Sequence, residues 1–151
     1  MRVAVAFDHR GVHLREALLA LLAEDGHEVV DLGVDTDRVR VDYPDKAAEI
    51  GAAIRDGEAE RGVLVCGSGV GASVAACKLA GIRAAICHDV YSAHQGVEHD
   101  DMNVLVLGGR IIGPALAHEL VEAFVKARYT AEERHARRLA KVKAIESRYS
   151  K

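Results

Sequence analysis

Short apolar runs alternate with amphipathic stretches along almost the whole chain, and this alternation constrains the fold more than any other feature. Five runs have the length and the β-branched content of buried strands. The stretches between them carry apolar residues at the three- and four-residue spacing of a helix face. The predicted strands are residues 3–7, 28–32, 62–66, 82–87 and 103–107. Strands that alternate with helices form parallel sheets with helices on both faces.

Glycine and proline mark the ends of the helices between those strands. Gly26 and Gly81 follow helical stretches at the C-terminal cap, and Pro44 stands in the first turn of another. The last three helices are predicted within residues 90–98, 114–127 and 131–148. The sequence thus predicts an α/β fold of three layers (α/β/α), with a five-stranded, mostly parallel Rossmann-like sheet and a C-terminal helix. No linker or repeat divides the chain, so we expect a single domain over residues 1–151.

Composition limits the compartment and the cysteine chemistry. No apolar run approaches the roughly 18 residues that span a bilayer, and residues 1–8 are too short in their apolar part for a secretory signal. We therefore expect a cytoplasmic protein that does not bind membranes. The three cysteines form no CxxC pair, so neither a disulfide framework nor a zinc site is predicted. Cys77 and Cys87 are interpreted as small buried apolar residues.

Positive charge is concentrated at the C-terminal end. Residues 126–151 contain nine Lys or Arg and three Asp or Glu, whereas the whole chain has a formal net charge of -3. Such a segment can bind nucleic acid, form a solvated helix or provide an anion site. The rest of the chain is acidic, and only four Tyr and two Phe are available to stack on bases. Nucleic-acid binding is therefore not expected.

Polar or glycine-rich segments follow four of the predicted strands. Ligands of parallel α/β sheets bind beyond the carboxyl ends of the strands, so we expect the chemistry of this protein at that edge. The four segments are Asp8-His9-Arg10, Cys66-Gly67-Ser68, His88-Asp89 and Gly108-Gly109-Arg110.

The glycine-rich run at residues 65–72 is the central candidate. Its glycines can present backbone N–H groups, and the following helix begins with a positive dipole end, an arrangement that holds a phosphate or an enediolate. The same surroundings would favour the thiolate form of Cys66. Two other interpretations remain open: a dinucleotide fingerprint, Gly67-x-Gly69-x-x-Ala72 with Asp89 as the ribose ligand, and a loop that only permits close packing. The cysteine at the end of the strand favours the anion site.

Histidine and arginine supply the other candidates. His99 stands between carboxylates and could act as an acid or base near pH 7, whereas the spacing around it matches no metal-ligand pattern. Arg134 and Arg138 are four residues apart, so on a helix they share a face, either as a phosphate clamp or as a solvated surface. Asp8 and His9 form a polar pair that could contact a substrate or cap a helix.

Taken in order, these residues resemble the ribose-5-phosphate isomerase B family, which also includes galactose-6-phosphate isomerase subunits. The resemblance covers nearly the whole chain. It rests on Asp8-His9, Asp42-Tyr43-Pro44, residues 66–71, Tyr91-Ser92-Ala93, His99 with Asn103, Gly109-Arg110, and Arg134-His135 with Arg138.

The resemblance implies an aldose–ketose isomerisation through a cis-enediolate, without metal or other cofactor. Cys66 would be the base that moves the proton, His99 would assist ring opening, and Ser68 would move a proton between the two sugar oxygens. The backbone N–H groups of residues 67–71 would stabilise the oxyanion. Asp8 would be a fourth catalytic residue, in contact with the sugar oxygens. The substrate-binding residues would be Tyr43 at the sugar oxygens, Gly67, Gly69 and Gly71 at the oxyanion, and His9, Arg110, Arg134 and Arg138 at the phosphate.

The family also implies a homo-oligomer, a dimer or a tetramer, in which a neighbouring subunit completes each site. One substrate-binding position departs from the family pattern, because Asp100 stands where the family commonly has asparagine. An ionised carboxylate donates no hydrogen bond and repels an enediolate or a phosphate. Asp100 would therefore be turned away from the substrate, or the sugar would differ from ribose, as in allose 6-phosphate, galactose 6-phosphate or a tetrose phosphate.

Overall fold

The computed structural model describes residues 1–150, and its strands form one sheet in which every neighbouring pair is parallel. The order across the sheet is β2-β1-β3-β5-β4. β1 therefore has β2 on one side and β3 on the other, and the carboxyl ends of β1 and β3 flank the point where the chain changes direction across the sheet. Such a point opens a crevice for a ligand. The strands are β1 (Arg2–Phe7), β2 (Glu28–Asp31), β3 (Arg61–Cys66), β4 (Ala84–Ile86) and β5 (Val104–Gly108).

Helices cover both faces of this sheet, and a short 3-10 turn (Val12–Leu14) precedes the first of them. Within residues 1–150, no helix is both long enough and apolar enough to cross a bilayer. The helices are α1 (Arg15–Glu24), α2 (Tyr43–Arg55), α3 (Val70–Ala76), α4 (Val90–Asp100), α5 (Pro114–Lys126) and α6 (Glu133–Tyr149).

Alternation of side chains along the strands divides the core into two. Val5 and Val65 point to the face that packs against α1, α4 and α5. Ala6 and Cys66 point to the opposite face, which packs against α2 and α3. α6 packs against α4, outside these two layers. The predicted three-layer α/β/α fold is confirmed, with a sheet that is wholly rather than mostly parallel.

The cysteines outside the sheet edge differ from each other. Cys87 is buried as predicted, and burial, together with the nearby Asp89 carboxylate, raises the pKa of its thiol to about 11. Cys77 is exposed, and its Sγ donates to the carbonyl oxygen of Ala84 at 3.1 Å. The interpretation of Cys77 as a buried apolar residue is therefore wrong. It directly follows the last residue of α3, where the chain turns away from the sheet.

Candidate active site

A cavity of about 280 Å³ opens at the carboxyl ends of β1 and β3, where the sheet order predicts a crevice. It brings together seven of the predicted site residues. These are Asp8, His9, Tyr43, Cys66, Gly67, Ser68 and Gly71. Arg10, Val41 and Asp42 complete the lining.

Asp8 fixes the turn that follows β1. Its side chain is buried, and its Oδ1 accepts the backbone N–H groups of Arg10 at 2.8 Å and Gly11 at 3.0 Å. The turn lies so close to β3 that a Cβ atom on Gly11 would be 2.5 Å from the carbonyl oxygen of Val65. Asp8 thus holds its own loop instead of capping a helix, as the alternative interpretation expected, and it also lines the cavity.

Cys66 is the last residue of β3, and its side chain is almost completely enclosed at the inner end of the cavity. Its Sγ accepts the backbone N–H of Gly69 at 3.2 Å. Gly69 adopts a φ of 84°, a left-handed conformation that glycine reaches without strain and that turns this N–H back toward the sulfur. The Gly69 N–H thus fixes the position of the sulfur at the inner end of the cavity.

The two sides of the cavity come from α2 and from the glycine loop. Tyr43, the first residue of α2, lies directly against the loop, because a Cβ atom on Gly71 would be 2.5 Å from Cζ of its ring. Ser68 is exposed at the mouth, and its Oγ accepts the backbone N–H of Val70 at 3.3 Å. A hydroxyl and a phenol therefore face the space in front of Cys66.

Three residues that line the cavity were not predicted from the sequence to be site residues. Arg10 directly follows His9 at the carboxyl end of β1, so its position at the sheet edge was a usable signal. Val41 and Asp42 come from the irregular connection before α2. Asp42 belongs to the motif Asp42-Tyr43-Pro44 but was given no role, and no pattern marked Val41. The backbone N–H of Val41 lies 3.4 Å from Nδ1 of His9 and links this connection to the β1 turn.

Two predicted residues lie beside the cavity rather than in its lining. Gly69 is buried behind Cys66, and its backbone N–H donates to Sγ of Cys66. Arg110 is exposed, and its backbone N–H donates to the carbonyl oxygen of Gly67 at 2.9 Å. The loop after β5 is thereby tied to the glycine loop.

The remaining predicted residues lie on α4 and α6, away from the lining of this cavity in the described chain. His99 stacks on His135, with ring centroids 4.0 Å apart. Arg134 pairs with Glu132 at 3.1 Å. Asp100 and Arg138 line a separate groove of about 1030 Å³ beside α6. Within one chain, the structure does not bring His99, Asp100, Arg134 or Arg138 into the Cys66 cavity.

Burial perturbs two histidines near these residues. His135 is 2% exposed; its Nδ1 lies 2.8 Å from Oγ1 of Thr130, and its Nε2 has no partner among residues 1–150. Burial, with smaller contributions from His99 and Arg134, lowers the pKa of His135. Burial also lowers the pKa of His88, whose Nε2 accepts the N–H of Gly108 at 3.0 Å. His88 thereby holds the end of β5 as a neutral acceptor.

The part of the chain that the structure describes contains no group of three or more His, Cys, Asp or Glu side chains able to hold a metal ion. The reaction's independence of metal stays a prediction. Together, the fold and the cavity define an α/β protein with a small-molecule site at the switch point of a parallel sheet. In that site, a cysteine lies behind a loop of backbone donors.

Comparison with known proteins identifies the family. The model of the ribose/galactose isomerase family matches residues 3–142. The chain is 42% identical to ribose-5-phosphate isomerase B of Escherichia coli over 147 residues, which are 97% of each chain. It is 37% identical to D-erythrulose-4-phosphate isomerase of Pectobacterium atrosepticum over 129 residues, 85% of each. The structure of ribose-5-phosphate isomerase B from Clostridium thermocellum superposes with a TM-score of 0.94 at 40% identity, covering 99% of this chain and 100% of that one.

The chain therefore belongs to the ribose/galactose isomerase family, as the resemblance predicted. It is a sugar-phosphate isomerase of the ribose-5-phosphate isomerase B type, an enzyme of the aldose–ketose class.

Proposed function

We propose that this enzyme interconverts ribose 5-phosphate and ribulose 5-phosphate through a cis-enediolate, in the cytoplasm, as a step of the pentose phosphate pathway. The observation that carries the proposal is the position of Cys66, whose Sγ lies in the cavity and accepts the N–H of Gly69. An aldose–ketose isomerase needs one group that removes a proton from carbon and returns it to the neighbouring carbon. We infer that Cys66 supplies that group.

The proton steps balance without a cofactor. The Cys66 thiolate removes the proton from C2 of the open-chain aldose, the C1–C2 double bond forms, and negative charge develops on O1. Backbone N–H groups of the loop containing Gly67, Gly69 and Gly71 stabilise this charge. Ser68 donates a proton to O1 and accepts one from O2. The Cys66 thiol then returns its proton to C1, which leaves the carbonyl at C2 and regenerates the thiolate.

The remaining residues would bind and open the sugar. Asp8 and Tyr43 contact sugar oxygens, and their presence in the cavity lining supports this role. His99 assists ring opening, and His9, Arg110, Arg134 and Arg138 hold the phosphate. Since His99, Arg134 and Arg138 lie outside the cavity of their own chain, we propose that a second subunit of a homo-oligomer supplies them.

The identity of the sugar depends on Asp100. Asp100 is exposed at the end of α4, where the family commonly has asparagine, and lines the groove beside α6 together with Arg138. If Asp100 reaches a substrate in a neighbouring subunit, its charge favours a sugar other than ribose, such as a tetrose, allose or galactose phosphate. The ratio of kcat/KM across ribose 5-phosphate, erythrulose 4-phosphate, allose 6-phosphate and galactose 6-phosphate decides between them.

The Cys66→Ala variant tests the mechanism. Loss of a general base lowers kcat by about 100- to 10,000-fold, and the loss should be at least that large here because the same group acts in both proton transfers. The assay is the formation of ribulose 5-phosphate, together with exchange of the C2 deuteron of labelled substrate into solvent. The Cys77→Ala variant is the matched control, because Cys77 is exposed and lies outside the cavity lining.

Both variants should keep the thermal stability and the oligomeric state of the parent protein. Wild-type turnover by Cys66→Ala would remove the proposed mechanism. If the parent protein converts another sugar phosphate but not ribose 5-phosphate, the proposed substrate is wrong. The role of Cys66 is then tested by the same comparison of variants with that other sugar phosphate. Incubation of the parent protein with a chelator should change neither its rate of ribulose 5-phosphate formation nor its rate of deuteron exchange.

A further inference from the structure

Arg10 lines the cavity in front of Cys66 but takes no part in the proposed proton transfers. Among residues 1–150, it is the only arginine or lysine in the lining of that cavity. It is exposed, and it forms no ion pair with a carboxylate of the described chain within 4 Å. A guanidinium in a substrate cavity without a protein partner is available to a ligand.

The backbone of Arg10 is held in place by its neighbours. Its N–H donates to Oδ1 of Asp8 at 2.8 Å, within the turn that follows β1. On the other side, a Cβ atom on Gly109 would be 2.9 Å from the carbonyl oxygen of Arg10, so the loop after β5 packs closely against it. The Arg10 side chain therefore starts from a fixed point at the carboxyl edge of the sheet.

The side chain then crosses the glycine next to Cys66. A Cβ atom on Gly67 would be 3.1 Å from Cδ of Arg10 and 3.8 Å from Nη1. The backbone N–H of Arg110 binds the carbonyl oxygen of the same glycine. Gly67 is thus flanked by both arginines, one through its side chain and the other through its backbone. The carboxylates of Asp8 and Asp42 share the cavity, but Oδ1 of Asp8 is already bound to two backbone N–H groups.

We propose that Arg10 binds the phosphate group of the substrate and sets the preference of this site for phosphorylated over unphosphorylated sugars. The proposal rests on the proposed function and deepens it. A guanidinium presents a planar fork of donors that matches a phosphate in two parallel hydrogen bonds. Arg10 would supply this fork from the same chain as Cys66, next to His9, whereas Arg134 and Arg138 lie on α6 outside the cavity.

The experiment compares Arg10→Ala, Arg10→Lys and Arg2→Ala. Arg2 is a matched control, because it is also exposed but begins β1 at the opposite edge of the sheet. Three constants are measured: KM for ribose 5-phosphate, and the inhibition constants of inorganic phosphate and of ribitol 5-phosphate, an alditol phosphate that cannot isomerise. Arg10→Ala should raise all three by about tenfold or more, as expected for loss of a charge-assisted pair, with a smaller change in kcat.

Arg10→Lys should fall between Arg10→Ala and the parent, because an ammonium keeps the charge but loses the fork. Arg2→Ala should match the parent. Inhibition by unphosphorylated ribitol should be the same in all variants. An unchanged inhibition constant for inorganic phosphate in Arg10→Ala would overturn the proposal, and so would an equal loss of affinity for ribitol.

The outcomes separate this proposal from the proposed function. If the parent isomerises ribose 5-phosphate and Cys66→Ala does not, the function stands whatever Arg10 does. If the parent isomerises no sugar phosphate, calorimetric titration of inorganic phosphate into the same three variants still tests Arg10. Phosphate binding that is weakest in Arg10→Ala, intermediate in Arg10→Lys and equal to the parent in Arg2→Ala supports its role, and equal binding in all variants removes it.

Discussion

At the scale of single residues, His135 is a histidine whose surroundings oppose its positive charge. It is buried, one ring nitrogen is unpaired within residues 1–150, and His99 and Arg134 lie near it. Its pKa in the folded protein is therefore lower than the ordinary 6.5, whereas the unfolded chain keeps the ordinary value. As pH falls below about 6.5, the unfolded state binds the proton first, so the free energy of unfolding decreases with acidification.

The prediction is tested by substituting His135 with glutamine, which carries no charge at any pH. Urea unfolding at pH 7.5 and pH 5.5, at one protein concentration, should show a smaller decrease for His135→Gln than for the parent. His118→Gln, at an exposed histidine of α5, is the control and should retain the parent's decrease. His27 and His88 also have lowered pKa values, so part of the decrease should persist in His135→Gln. Identical decreases in His135→Gln and the parent would contradict the prediction.

Single residues also differ in how far the sequence could locate them. Cys66 was predictable because an apolar strand, a cysteine and a glycine run follow one another directly, and all three constrain the same turn. The exposure of Cys77 was not predictable, because it depends on where α3 ends, and α3 ends at Ala76, well before the C-terminal cap predicted at Gly81. Arg10 was visible at the sheet edge, but its path across Gly67 depends on packing between two loops distant in sequence.

At the scale of secondary-structure elements, the cavity depends on a close contact between the start of α2 and the start of α3. Gly71 is the second residue of α3, and a Cβ atom there would lie 2.5 to 2.8 Å from three ring carbons of Tyr43. Gly71→Ala should therefore displace the Tyr43 ring from the cavity. Because alanine favours a helix more than glycine does, the thermal stability should be kept, while KM for ribose 5-phosphate rises by about tenfold, equivalent to one lost hydrogen bond.

A double-mutant cycle assigns the effect to Tyr43. In a Tyr43→Ala background, Gly71→Ala should have little further effect on KM, since the ring it would displace is gone. Gly113→Ala is the control for a glycine-to-alanine change, because a Cβ atom there meets nothing within 4 Å. Additive effects of Gly71→Ala and Tyr43→Ala on KM would show that the contact between α2 and α3 does not position the ring.

Elements with a strong local pattern agree with their prediction most closely. β1 and β3 are buried and carry no charge after their first residue, β5 is buried throughout, and each strand begins and ends within one residue of its predicted range. β4 was expected over residues 82–87, but only Ala84–Ile86 pair as a strand. It is an edge strand, and the backbone N–H of Arg83 binds Oδ1 of Asn103 instead of a neighbouring strand. Such side-chain competition is not visible in an apolar run.

At the scale of the whole molecule, the predicted site residues other than Gly69 and Arg110, which lie beside the cavity, form two groups. One group lines the cavity at the ends of β1 and β3, and the other lies on α4 and α6. The sheet edge of the first group could be predicted from the strand alternation, because all parallel strands end at one edge. The separation of the second group from the cavity could not be predicted, because it depends on the order β2-β1-β3-β5-β4 and on where α6 packs.

This separation makes the proposed oligomer testable by complementation. If each site combines Cys66 of one subunit with His99 of another, a dimer of one Cys66→Ala chain and one His99→Ala chain collects both lesions in one site and leaves the other site intact. Cys66→Ala and His99→Ala chains are coexpressed with different tags, and oligomers that contain both are purified. In such a mixed dimer, one of the two sites has both native side chains and the other has neither.

The mixed dimer should therefore recover roughly half of the parent protein's kcat per dimer, although Cys66→Ala alone and His99→Ala alone have each lost most of their activity. A site built within one chain would carry one lesion everywhere, so the mixed oligomer would be as inactive as the variants. The control is a coexpressed pair of Cys66→Ala and native chains, which should also show roughly half of the native rate under either arrangement. A two-fold dimer with shared sites thus differs from independent subunits in one measurement, the rate of the Cys66→Ala and His99→Ala pair.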